Sequence, residues 1–350
     1  MNQASSSNLT KPTPFQLGNT KLGKNLPGII FVILIAYIAN SMGKELPLIG
    51  STVIAIALGV LIKNYLSIPV QFEPGISYAL KKGLKYAIIL LGSSLSLLQV
   101  VQIGKDSMLV IVVVVTLGII LTHYIGRMLG LSGKLPLLLG VGTAICGATA
   151  IATVSPIMDS KDEETAFAIT TIFIFNVIAV IAYPLLGLAF GMSNEAFGIW
   201  AGTAIQDTSS VVAAGYAYSD EAGGIATVVK LTRTLFLIPL AVLIGVMYSM
   251  KNKKEAESKG GKVNLVKIFP FFILGFLAMA VLNTLGFFSE QVVTFLTSIS
   301  KFMILMAMAG VGLGADFKKM KVIGMRPIYC GLLASIIVGV ISISLIYLVV

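Results

Sequence analysis

The sequence predicts an all-α polytopic membrane protein of about eleven membrane segments, with inverted repeats and two broken or re-entrant helices. Three observations carry this. The 350 residues are 57% hydrophobic and only 11% charged, against roughly 25% charged in soluble domains. Mean hydropathy is +0.96. And one glycine- and hydroxyl-rich stretch occurs twice inside apolar runs, as Gly142-Thr143-Ala144-Ile145-Cys146-Gly147-Ala148-Thr149 and Gly202-Thr203-Ala204-Ile205-Gln206-Asp207-Thr208-Ser209.

Apolar runs bounded by charges, Gly and Pro place segments at 27–43, 47–63, 76–103, 107–126, 134–157, 165–191, 195–218, 223–249, 265–284, 290–314 and 327–349. Each is near the roughly 20 residues that a helix needs to cross a bilayer. The first follows a polar stretch, 1–26, read as a cytoplasmic tail because no small-residue cleavage pattern ends the apolar run. Segments one to eight, 27–249, contain both broken-helix motifs; the basic cytoplasmic linker 250–264 separates them from segments nine to eleven, 265–350. The fifth and seventh segments hold the duplicated motif. If both re-enter rather than span, the two parity changes cancel, and the acidic loop Asp159–Glu164 becomes cytoplasmic.

Basic residues give the orientation. The tail, loop 63–85, Arg127 with Lys134, linker 251–267 and loop 315–326 are all net positive, and the alternate loops are not. That puts the N-terminus in the cytoplasm and the C-terminus outside. It also explains the net charge of +10 without nucleic acid, since the lysines have no aromatic interleaving. A second internal match lies 220 residues apart: Lys81, Gly92, Ile103 and Gly104 align with Lys301, Gly312, Ile323 and Gly324, and Leu97 stands opposite Phe317. Seven segments separate the copies, so they cross in opposite directions, as an inverted-topology repeat requires.

Charges inside apolar segments are expensive and therefore informative. They are Asp207, Lys230, Arg233 and Lys301. Lys230 and Arg233 are three residues apart and share a helix face. One reading is structural, an ion pair of Asp207 with either cation. The other has the two cations facing a water-filled cavity and holding a small anion, with Asp207 coupling transport to H+ or Na+. Breaks at Gly142, Gly147 and Gly202 would free N–H groups for an anion, and Thr143, Thr149, Thr203, Thr208 and Ser209 add hydroxyls. Asn176, Gln206 and Lys301 are secondary candidates. Small-residue helix packing is the competing account of the glycines.

One histidine, His123, and two unspaced cysteines, Cys146 and Cys330, give no metal site and no disulfide framework. No cofactor is expected, and no phosphate-binding Gly-x-x-x-x-Gly-Lys-[Ser/Thr] loop is present for an ATP-driven pump. An intramembrane enzyme would want a nucleophile–base pair or metal cluster, so the chain is not read as an enzyme.

The blocks Cys-Gly-Ala-Thr-Ala-Ile-Ala (146–152), Trp-Ala-Gly-Thr-Ala-Ile-Gln-Asp-Thr (200–208) and Thr-Val-Val-Lys-Leu-Thr-Arg (227–233) resemble the signature blocks of the YeiH family. These are bacterial inner-membrane proteins often labelled sulfate exporters, grouped with the cation:proton antiporter and anion transporter superfamily. The resemblance implies inverted repeats, a core with broken helices moving against a scaffold, a homodimer, and sulfate, a related sulfur oxyanion or a sulfonate as cargo. Many relatives carry histidine at the position of Gln206, so a proton-carrying role there would be missing. The rival within transport is a sodium/proton antiporter with Asp207 as the cation ligand.

Overall fold

The computed structural model describes residues 21–45, 50–251, 269–315 and 324–349, and all its regular structure is helical. The helices are α1 (Lys21–Glu45), α2 (Gly50–Tyr65), α3 (Glu73–Tyr78), α4 (Leu84–Leu91), α5 (Leu97–Met128), α6 (Leu135–Ala144), α7 (Ala148–Ile157), α8 (Asp162–Ala189), α9 (Asn194–Ala204), α10 (Thr208–Tyr218), α11 (Asp220–Leu235), α12 (Leu237–Lys251), α13 (Phe272–Thr284), α14 (Glu290–Gly314) and α15 (Met325–Val349). Six helical stretches among the described residues are long and apolar enough to cross a membrane, and four shorter helices are apolar as well. The protein is a polytopic membrane protein.

Serine sets several helix starts. Ser193, Ser219 and Ser289 each accept a hydrogen bond from a backbone N–H three residues on, and an acid follows in the first turn, as Glu195, Asp220 and Glu290. Ser96 and Gln99 form a reciprocal capping box that starts α5. α3 and α4 are joined by a π-turn, Ala79–Gly83, and short tight turns at Val70–Phe72 and Gly92–Ser94 extend this segment to 70–94.

Packing does not follow chain order. One buried group joins α1, α2, segment 70–94, α13 and α14, here the scaffold, and takes in Val100 of α5, Val180 of α8 and Val228 and Leu231 of α11. The other joins α5 to α12 with α15, here the core. α10 sits on the seam: Val211 and Ala214 belong to the core, Val212 and Ala213 to the scaffold. Two contacts fix the relative height of the two groups. Gly314, the last residue of α14, packs under the Phe173 ring, eleven residues into α8. Lys301, eleven residues into α14, pairs with Asp220, the first residue of α11. At about 1.5 Å per residue, both put the scaffold about 16 Å out of step with the core along the helix axes.

The 220-residue match extends to contacts. Segment 70–94 and α14, 290–314, coincide residue for residue at that offset. A Cβ on Gly92 would strike the Phe276 carbonyl, and one on Gly312 the Ile56 carbonyl; 56 and 276 are themselves 220 apart. Asn64 Nδ2 donates to the Ala315 carbonyl (2.8 Å), and Asn283 Nδ2 to the Leu95 carbonyl (3.3 Å). Glycine is required at both close approaches because the partner is rigid backbone.

Several boundaries differ from the sequence reading. Residues 21–26 are the opening turns of α1 rather than tail, and 1–20 lie outside the described residues. The third segment ends at Gly92–Ser94, not 103; Leu95 is extended, and the Ser96 cap starts a fresh helix, so Lys105 and Asp106 lie inside α5 instead of between helices. Of the linker, residues 250 and 251 end α12, and 252–264 lie outside the described residues, as does most of loop 315–326.

Candidate functional site

The two motif copies form two helical hairpins rather than through-going rods. At the base of the first, Lys134 at the start of α6 donates through Nζ to the carbonyls of Met158 and Asp159 at the end of α7, and its backbone N–H donates to Glu164 (3.0 Å). At the base of the second, Ser219 Oγ donates to Asn194 Oδ1 (2.9 Å), and the Phe197 and Tyr218 rings stack 3.9 Å apart. A rod would hold these ends two half-helices apart. The tips meet: a Cβ on Gly147 would lie 3.5 Å from Cα of Asp207. Equivalent motif positions, 147 and 207, therefore face each other.

Each tip joins the C-terminus of one half-helix to the N-terminus of the next. α6 and α9 end there with carbonyls that have no partner within their own helix, and α7 and α10 begin there with N–H groups that have none. Lys230 and Arg233, both 0% exposed, serve the carbonyls. Lys230 Nζ donates to Ile145 (2.7 Å) and Ile205 (2.9 Å). Arg233 donates to Thr143 (2.5 Å), Ala144 (2.6 Å), Thr203 (2.6 Å) and Ile205 (3.1 Å), with a longer contact to Gly202 (3.4 Å). The carbonyl pairs 143/203 and 145/205 are equivalent motif positions, so both cations lie where the two hairpins are symmetric. They compensate the negative ends of two half-helices and satisfy carbonyls that would otherwise be orphaned.

The sequence alternative of an ion pair from Asp207 to Lys230 or Arg233 does not form. Among the described residues the one ion pair is Lys301–Asp220, 2.7 Å, away from the tips. Asp207 instead caps α10: Oδ2 accepts from the Ser209 N–H (2.9 Å) and from Ser209 Oγ. Its own N–H donates to Asn176 Oδ1 (3.0 Å), which ties α8 to the second tip. The Gly/Asp inequality between the copies follows from backbone shape. Gly147 has φ 62° and ψ −130°, a conformation that L side chains rarely adopt, and α7 has no side-chain cap. Asp207 has φ −88° and ψ 143°, the usual geometry of an N-cap acid.

The remaining candidates divide by surroundings. Thr149 is exposed, and Asp207 and Thr208 are partly so; Thr143, Thr203, Gln206 and Ser209 are buried. Thr203 Oγ1 bonds Ser342 Oγ (2.5 Å), and Gln206 Nε2 donates to Ser335 Oγ (2.8 Å). Gly142 packs against Ile151 of its own hairpin and Gly202 against Val229. Those serines, with the Gly339 carbonyl that accepts from Trp200 Nε1 (2.9 Å), make α15 the polar support of the second hairpin. The sequence signal was available: Ser335 and Ser342 are seven apart in an apolar helix, hence on one face. Among the described residues no cluster of three His, Cys, Asp or Glu could hold a metal.

Chemically, the tips gather two cations and one carboxylate, one net positive charge, beside an uncapped helix N-terminus and unspent threonine hydroxyls. Such a place suits an anion.

Comparison with known proteins finds a family model, "Conserved hypothetical protein 698", matching residues 27–331. The chain is 37% identical to a UPF0324 membrane protein of Clostridium tetani over 326 residues, 90% of this chain and 94% of that one. It is 36% identical to one of Fusobacterium nucleatum, with 93% and 98% covered, and 39% identical to one of Streptococcus pneumoniae, with 85% and 90% covered.

Proposed function

The chain belongs to the Conserved hypothetical protein 698 family, the UPF0324 or YeiH-like membrane proteins, and on that premise we propose that it is a secondary transporter moving a small anion by alternating access. The observation that carries the reading is the meeting of two half-helix N-termini at the hairpin tips, one of them uncapped, with net positive charge around them. Sulfate, a related sulfur oxyanion or a sulfonate is the proposed cargo. The anion sits on the N-terminal N–H groups of α7 with the Thr149 and Thr208 hydroxyls as further donors. Lys230 and Arg233 act behind it, holding the hairpins together and supplying field rather than direct contact, because their donors already serve carbonyls.

Alternating access is supported by how unequally the hairpins meet the scaffold. α10 packs against α2 and α14, whereas α7 packs on α6, α8 and α12 and exposes Thr149, Ala152 and Pro156. Taken with the contact pairs repeated at an offset of 220, this reads as one of two conformations related by an inverted repeat, open on the α7 side. The base of the first hairpin lies with Arg127, Lys134 and the end of α12, where Lys134 Nζ is 5.7 Å from the Tyr248 ring centroid. These are the basic loops, so both hairpins re-enter, the first from the cytoplasm and the second from outside. The about 16 Å offset is then a core displaced toward the cytoplasm.

A second reading, a sodium/proton antiporter, rests on Asp207: Oδ2 is committed to capping, while the partly exposed carboxylate keeps Oδ1 for a cation or proton. A thermal-shift screen of the purified protein separates the two, because bound ligand stabilises by mass action. Sulfate, sulfite, thiosulfate, sulfonates and carboxylates are compared with Na+ alone and with pH. Stabilisation by an oxyanion, with Thr149→Val raising its transport KM about tenfold in vesicles, is expected. Stabilisation by Na+ with no anion response would replace the anion site by the antiporter.

A further inference from the structure

The ion pair between Lys301 and Asp220 bridges scaffold and core. Lys301 belongs to α14; Asp220 opens α11, directly after the second hairpin. The lysine also lies 5.9 Å from the ring centroid of Tyr216 on α10. The 220-residue repeat gives this pair a counterpart. At the 220-residue offset Lys301 corresponds to Lys81, in the π-turn at the middle of segment 70–94. The helix directly after the first hairpin is α8, and it opens with Asp162 where α11 opens with Asp220. Lys81 and Asp162 are both exposed, and neither makes an ion pair among the described residues.

Their heights explain why they are apart. Leu80 packs against Gly310, four residues before the end of α14, so Lys81 lies near the level of the hairpin tips. Asp162 lies eleven residues below Phe173, the level of Gly314. The gap along the axis is about 22 Å. A slide of the core by the about 16 Å offset, together with the reach of a lysine side chain, closes it. The same slide carries Asp220 away from Lys301.

We propose that the protein exchanges these two ion pairs as it alternates: Lys301–Asp220 in the conformation open on the α7 side, Lys81–Asp162 in the one open on the α10 side. This rests on the alternating-access reading. Exposed pairs contribute weakly, shifting a population by about two- to fivefold. That weakness suits an exchange, since a strong single latch would hold one conformation and slow the cycle. Having one pair in each state keeps the two states close in free energy.

The test uses the full chain in liposomes with the buried Cys146 and Cys330 left in place. Asp220→Cys with Lys301→Cys, and Asp162→Cys with Lys81→Cys, are oxidised, and the disulfides are read by mass spectrometry. Both pairs should cross-link, and in the fourfold variant forming one should suppress the other. Lys81→Glu in the Asp220/Lys301 cysteine background should raise that cross-link about two- to fivefold. Sulfate flux with the 81–162 cross-link never forming would overturn the exchange. Both cross-links forming while no anion moves would uphold the exchange and overturn transport.

Discussion

The first hairpin owes its tip to backbone geometry and the second to side chains, although their motifs match and their tips touch. Gly147 turns the first tip with a positive φ, and α7 starts without a cap. The second tip is extended, capped by Asp207, tied to α8 through Asn176 and to α15 through Gln206–Ser335 and Thr203–Ser342. Surroundings differ in the same sense: residues 209–215 of α10 are buried on the seam with the scaffold, while α7 leaves Thr149, Ala152 and Pro156 exposed. A duplicated sequence thus builds two tips of unequal construction, one buried against the scaffold and one left exposed. Lys230 and Arg233 belong to neither hairpin and bind equivalent carbonyls of both, so they hold the unequal halves in register.

Removing that common element has the largest expected effect. Arg233→Ala orphans the carbonyls of Thr143, Ala144 and Thr203 together, in a site with no exposure. The cost should be about 1–3 kcal/mol for each orphaned carbonyl, seen as loss of a monodisperse peak and a large drop in Tm. A variant that folds with a near-normal Tm would break the assignment of Arg233 as the join between hairpins and return it to the role of a free anion ligand.

The next effect tests the inequality of the tips. Gly147→Ala places a side chain at φ 62° and should cost about 1–3 kcal/mol. Asp207→Ala should cost about 1 kcal/mol through the lost cap, and Asp207→Asn almost nothing, since Asn caps as well as Asp. Asp207→Asn thus separates capping from charge. Unchanged stability with lost pH or Na+ dependence of flux would assign coupling to the carboxylate; unchanged flux would leave it a cap. Equal losses for Gly147→Ala and Asp207→Asn would erase the distinction between the tips.

Much of this arrangement is written locally. The bounds of α14, Glu290–Gly314, are legible because a Ser-Glu start and a glycine-rich end are short-range signals. The motif breaks and the 220-residue repeat are equally legible, since both are patterns in the chain itself. What cannot be read is direction. Whether a broken segment spans or returns leaves loop charges nearly unchanged, because two hairpins cancel in parity; contacts such as Lys134 with Met158 show that the two half-helices fold back on each other. Periodicity places Lys230 and Arg233 on one face but does not say whether that face meets a cavity or the carbonyl ends of two half-helices. α5 begins at Leu97 because of a capping box, a signal outweighed in the sequence by the charges at Lys105 and Asp106.

The smallest expected effect concerns α15. Ser335→Ala removes the partner of the buried Gln206 amide, 2.8 Å away, and should cost about 1 kcal/mol. Because Gln206 neighbours Asp207, the loss loosens the second tip and leaves the first untouched. Hydrogen exchange resolves the two: faster exchange is expected across 203–210, with 143–150 unchanged. Equal acceleration at both tips would mean that the hairpins behave as one body, and that the side-chain support of the second has no separate consequence. Confinement to the second tip would show that its rigidity is built from outside the motif, by a helix whose only hint in the sequence is two serines on one face.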